Sequence, residues 1–140
     1  MANLGDINRF LAHANHARDT QQWGLAVHLY SQLLQAHPQA VELSHNLGLC
    51  HFAMGNTALA IVACQKALSI NPKLWQSGMI LAKSYQAMGQ IERAYQAFQR
   101  VLQMDSANAQ ARLGMANIVL NEYGDPLGAI TPHQAPLLPR

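Results

Sequence analysis

The sequence predicts an all-α fold of stacked antiparallel helix pairs, and three observations predict it. The first is a fixed step of 34 residues: it links Ala26, Ala60 and Ala94, then Leu34, Leu68 and Leu102, and again Leu47, Leu81 and Met115. A period of this length marks an array in which each helix-turn-helix unit hides its apolar face against the next. The second is a pair of apolar stripes at helical spacing inside each period, separated by Gly55 in one copy and Gly89 in the next. The third is a breaker at the same step, Pro38 and Pro72. Anchoring the period on these prolines gives units at 7–40, 41–74 and 75–108, a partial unit at 109–121, an N-terminal arm at 1–6 and a Pro-rich tail or linker at 122–140.

In the first unit, Phe10, Ala14 and Ala17 form one stripe and Trp23, Ala26, Tyr30, Leu33 and Leu34 the other. His13 stands where later units carry leucine, and it is expected to pack in that slot. In the second unit, Leu43, Leu47, Cys50, His51 and Met54 recur at helical spacing before Gly55-Asn56-Thr57 interrupts. Gly55 suits the left-handed residue that ends a helix, and Asn56 or Thr57 is placed to cap the next. Ala60, Ile61, Cys64, Ala67, Leu68 and Ile70 then run to Asn71-Pro72, where proline removes an amide and disfavours a helical predecessor. The third unit repeats the pattern with Leu81, Ala82, Tyr85, Gly89, Ala94, Phe98, Val101 and Leu102, with Ser106 in the proline position. Trp75 opens it and is expected to be a buried anchor between units. The fourth unit begins with Leu113, Met115, Ala116 and Val119, and Pro132, Pro136 and Pro139 stop its second helix. An unpartnered terminal helix then needs cover: a second copy, more protein, or the tail through Leu127, Ile130, Leu137 and Leu138.

Composition narrows the function classes. The chain has 140 residues, enough for one domain with a core. Only 11% are charged, against about a quarter in ordinary domains, so repulsion between copies is weak and self-association is favoured. A net charge of +2, scattered over several units, argues against nucleic acid. No stretch approaches the roughly 18 apolar residues of a membrane span, and Met1 to Thr20 lacks the pattern of a secretion signal. Cys50 and Cys64 read as reduced thiols in packed helices, which makes the cytoplasm the expected compartment.

These residues resemble the tetratricopeptide repeat family. Its pattern runs from a large residue through Leu-Gly/Ala, an aromatic, Gly, Ala, a second aromatic and Ala to Pro. Unit two supplies Leu47, Gly48, Gly55, Ala60, Ala67 and Pro72; unit three supplies Leu81, Ala82, Tyr85, Gly89, Ala94 and Phe98. His51 and Cys64 replace aromatics, and Ser44 and Gly78 replace the large residue. The resemblance covers residues 7 to about 121. It implies a right-handed superhelix whose first helices line a concave face that binds protein, with no catalysis and no cofactor.

The sequence carries no Gly-rich phosphate loop and no nucleophile elbow, and its seven acidic residues are dispersed. His13, His16, His45 and His51 lack a cysteine or carboxylate at ligand spacing, so no metal site is expected. By the family's register the concave face takes Leu11, Asn15 and Arg18, then Glu42, His45, Asn46, Leu49 and Phe52. The third unit adds Gln76, Met79, Ile80, Lys83 and Gln86, and the fourth Gln110, Leu113, Asn117 and Leu120. Of these, Leu11, Asn15, His45, Asn46, Leu49, Phe52, Met79, Ile80, Lys83, Leu113 and Asn117 are the candidate partner-binding residues. The apolar members suit an extended or helical segment with several apolar anchors. Chaperone-binding members of the family clamp a peptide's terminal carboxylates between two asparagines and three cations. Asn15 and Asn46 match the asparagines, but Leu11, Gln76 and Ile80 fill the cationic positions, and carboxylates need charge-assisted donors. No clamp of that kind is expected. Asn15, Asn46 and Asn117 are also similar to the amide-lined superhelix that precedes O-GlcNAc-type glycosyltransferase domains.

Three functions fit: a non-catalytic module that holds a protein or peptide in its groove, an accessory region of a larger transferase, and a homo-oligomer paired through the terminal helix.

Overall fold

The 34-residue frame reappears in the helix boundaries of the computed structural model, which describes residues 4–124. Among these residues there are seven helices: α1 Leu4–Asp19, α2 Trp23–Ala36, α3 Val41–Ala53, α4 Thr57–Ile70, α5 Trp75–Ala87, α6 Ile91–Met104 and α7 Ala109–Tyr123. Val41, Trp75 and Ala109 start first helices one period apart, as Trp23, Thr57 and Ile91 start second helices. Each helix packs on the next in order, and α3 also touches α5. The result is an all-α array of helix pairs. α1 begins at Leu4, so residues 4–6 belong to its first turn rather than to an arm. The tail expected from residue 122 onward, with Leu127, Ile130, Leu137 and Leu138, lies almost wholly outside the described residues.

Small residues set how closely the helices approach. Ala26, Ala60 and Ala94 are all fully buried. At Gly48 a Cβ would sit 2.6 Å from Cys64 Sγ, and at Gly78 one would sit 2.9 Å from Val101 Cγ2. The family's large residue is therefore missing at Gly78 because α6 occupies its space. Two apolar clusters result. One joins Ala14, Ala17, Leu29, Tyr30, Leu33, Leu43 and Cys50. The other joins Cys64 and Met79–Ala82 to Phe98, Val101 and Ile118, with Trp75 partly buried against it.

The turns repeat as well. Gln21, Gly55 and Gly89, one period apart, all adopt positive φ, at 61°, 80° and 76°. After each second helix a backbone hydrogen bond closes the same turn: Ala40 N to His37 O, Leu74 N to Asn71 O and Asn108 N to Asp105 O. Ser106 thus enters the turn without proline's help.

Two expectations are corrected. His13 is exposed and does not pack in a leucine slot, since none of the described residues covers that side of α1. Asn56 makes no side-chain cap. Its backbone carbonyl accepts from Ala60 N instead, and the side-chain cap belongs to Asn108, whose Oδ1 accepts from Ala111 N at 2.9 Å.

Candidate functional site

The expected site residues lie on the first helices α1, α3, α5 and α7, and four of the polar ones, Asn15, Arg18, His45 and Asn46, are engaged in hydrogen bonds within the protein. Asn15 Oδ1 accepts from the Tyr30 hydroxyl at 2.6 Å. Arg18 reaches across from α1 to donate to Asn46 Oδ1 at 3.1 Å, while its Nε pairs with Asp19 at 2.9 Å. The Asp19 hydrogen bond holds the guanidinium above its ordinary pKa. His45 Nδ1 meets Ser77 Oγ at 2.7 Å, tying α3 to α5. Burial, with the Arg18 charge second, pushes the His45 pKa down and favours the neutral ring. Both asparagines therefore spend an acceptor on the protein itself.

The apolar members divide by exposure. Met79 and Ile80 are 5% and 9% exposed and form wall rather than contact area. Leu11, Leu49 and Phe52 are half-buried, the latter two against the C-terminal cluster. Leu113 is 60% exposed and Leu120 46%, with Lys83 and Asn117 also open to solvent. Leu11 additionally faces a hollow of about 460 Å³ whose wall includes Ile7, Leu33 and Val41.

Burial pushes the Cys50 thiol up to about 11 and the Cys64 thiol to about 12, so both stay protonated and weakly nucleophilic. Among the described residues no three His, Cys, Asp or Glu side chains converge as a metal site would require. No described helix is long and apolar enough to cross a membrane.

Tyr30 and Ser77 were missed as site partners. Ser77 carried a signal, a polar residue at a position that is leucine one period earlier and alanine one period later.

Comparison with known proteins agrees with this architecture. The tetratricopeptide repeat family matches residues 41–74 through one repeat model and 81–132 through another. The chain belongs to the tetratricopeptide repeat family, whose fold is a protein-interaction module. The small glutamine-rich tetratricopeptide repeat-containing protein 2 of Mycosarcoma maydis is 22% identical over 81% of this chain and 32% of its own length. The chain thus spans about a third of that relative, and 10% and 18% of two other curated relatives it matches. Among solved structures, the first TPR of Spaghetti (RPAP3) bound to the HSP90 peptide SRMEEVD superposes with a TM-score of 0.79 at 18% identity, covering 86% of this chain and 95% of that one. A Thermobaculum terrenum O-GlcNAc transferase mutant gives 0.78 at 25% identity, over 91% of this chain and 25% of that one.

Proposed function

We propose that this chain is a non-catalytic, cytoplasmic module that holds a protein or peptide segment along its first helices by apolar anchors. The observation that carries this is the graded apolar strip, running from half-buried Leu49 and Phe52 over the buried wall of Met79 and Ile80 to exposed Leu113 and Leu120. Such a strip takes spaced apolar side chains, while Lys83 and Asn117 remain free at its edge to meet a ligand backbone. Two buried free thiols suit a reducing compartment.

The occupant differs from the peptide in the Spaghetti complex. The cationic positions of a carboxylate clamp are Leu11, Gln76 and Ile80 here, and Arg18 already holds Asn46. SRMEEVD should therefore fail to bind along these helices in the low micromolar range. Selection from displayed random peptides tests the reading: binders should carry apolar residues three or four apart and lose affinity on Leu49→Glu or Leu113→Glu with unchanged helicity. Met79→Glu is a poor probe, because a charge at a buried position tests folding. Selected peptides indifferent to both Leu49→Glu and Leu113→Glu would sink the groove assignment.

A second reading is that the module precedes a larger enzyme such as a glycosyltransferase. The likeness to the O-GlcNAc transferase favours it, since this chain aligns over 91% of its length with a quarter of that protein. Reading the natural open reading frame past Arg140 decides it. Pairing of two copies through α7 is the outcome that light scattering over a concentration series would reveal.

A further inference from the structure

A second groove lies on the other side of the array, between the second helices α4 and α6, with α5 beneath. It encloses about 400 Å³. Its floor is set by Gly78, Leu81 and Ala97, and Gln65 and Gln96 stand at its edges. Arg93 and Arg100, both exposed, stand over it from α6. An adjoining hollow shares Arg100 and Met104 with it and extends the track to Lys73. No carboxylate lines either hollow among the described residues. Among the described residues, the ion pairs Arg9–Asp6 and Arg18–Asp19 lie at the N-terminal end, away from these hollows. Three cations in a chain that is only 11% charged thus face one track with no counter-charge.

We propose that this α4–α6 groove binds an acidic peptide segment in an extended, polyproline-like conformation, its carboxylates on Arg93 and Arg100. Spacing and charge select that occupant. Seven helical residues separate the two arginines by about 10.5 Å along α6. In a polyproline II strand, side chains three residues apart share one face and lie about 9 Å apart. Acidic residues at every third position therefore meet both guanidiniums, each of which can hold a carboxylate through two N–H donors. Gln96, and Gln65 through its side-chain carbonyl while its Nε2 donates to the Tyr85 hydroxyl at 3.0 Å, meet the strand's unpaired backbone groups. Leu68 and Met104 give apolar cover between the charged contacts. Lys73 extends the track for a third acidic residue. The site is independent of the first-helix surface, and neither reading depends on the other.

The test is fluorescence anisotropy with labelled peptides, two of equal charge and one without the carboxylates. One carries Glu-Pro-Pro-Glu-Pro-Pro-Glu, a second carries three adjacent glutamates, and a third replaces the glutamates by glutamine. The spaced peptide should bind tightest and weaken as salt rises from 50 to 200 mM, and the glutamine peptide should not bind. Arg100→Gln should weaken the spaced peptide roughly tenfold, and Arg93→Gln by a similar factor. Arg9→Gln removes one charge remote from the groove and should change affinity less than about twofold. The proposal is overturned if no acidic peptide binds below 1 mM, if Arg9→Gln and Arg100→Gln weaken binding equally, or if clustered and spaced glutamates bind alike. It is also overturned if pyrophosphate binds at these arginines while the peptides do not. Circular dichroism of each variant keeps loss of fold distinct from loss of binding, and both arginines are solvent-exposed.

Discussion

α1 and α5 are both first helices of a unit, yet they enter the array on different terms. α1 buries two residues, Ala14 and Ala17, and is fastened by the Tyr30–Asn15 and Arg18–Asn46 hydrogen bonds. α5 buries eight, including Met79, Ile80, Leu81 and Tyr85, between α4 on one side and α6 on the other. The difference follows from position. A helix at the end of a one-dimensional array has one neighbouring unit, so apolar side chains on its open side would stay wet. Hydrogen bonds that survive partial exposure replace them, each contributing about 1 kcal/mol net. The N-terminal pair is thus the expected site of first opening.

The largest test of that contrast compares two phenylalanines. Phe98 is 1% exposed and packs so tightly that a Cβ on Gly114 would lie 2.5 Å from its ring. Phe98→Ala should cost about 3–5 kcal/mol in urea unfolding. Phe10, partly buried against the N-terminal cluster, should cost less than half as much on truncation. Phe98 belongs to α6, which packs on α5, so equal losses would show that α1 is held as firmly as the α5–α6 pair.

Two buried serines sharpen the role of the polar contacts. Ser77 Oγ is bonded to His45, whereas Ser44 Oγ, equally buried, has no partner. Ser77→Ala should destabilise by about 1 kcal/mol, and Ser44→Ala should stabilise by a similar amount because an unsatisfied hydroxyl leaves the interior. If both variants move the same way, hydrogen bonding is not what separates them.

These residues also show where sequence reading succeeds and where it stops. Ala60, Gly55 and Val41 obey a period that every unit must share to stack, so the unit boundaries and the Gly55 and Gly89 turns follow from the sequence alone. Ser77 and Asn46 answer instead to one neighbour each, reached from another helix, and no period encodes such a pair. His13 was misplaced for a related reason: its slot is apolar only where a preceding unit covers it. Arg93 and Arg100 belong to a cationic charge that looks scattered along the sequence, though a seven-residue step on one helix already places them on one face.

A smaller effect is expected at the first turn. Gln21 holds φ of 61°, the conformation that glycine takes at Gly55 and Gly89. A side chain there costs about 1–2 kcal/mol, partly offset by glycine's greater freedom in the unfolded chain. Gln21→Gly should stabilise by about 0.5–1 kcal/mol, and should do so by firming the α1–α2 pair. Unchanged hydrogen exchange in α1 would mean that this turn does not limit the stability of the N-terminal end.

Acid should act on the same end, with the smallest effect of all. Every histidine of the described residues lies between His13 and His51, and none is found in α4–α7. His45, through burial and the Arg18 charge, and His51, through burial, have pKa values below the ordinary 6.5. His51 Nδ1 is buried without a partner. The unfolded chain then binds more protons than the folded one just below pH 6.5. Stability is complete above that value and declines as the pH falls through the lowered folded pKa values. Hydrogen exchange corrected for intrinsic rates should show protection in α1–α3 dropping between pH 7.5 and 5.5 while α5–α7 hold. His45→Gln should remove part of that drop, because glutamine cannot take up the proton that the folded ring resists. Equal loss of protection along the whole array would mean that acid acts on global charge rather than on these two rings.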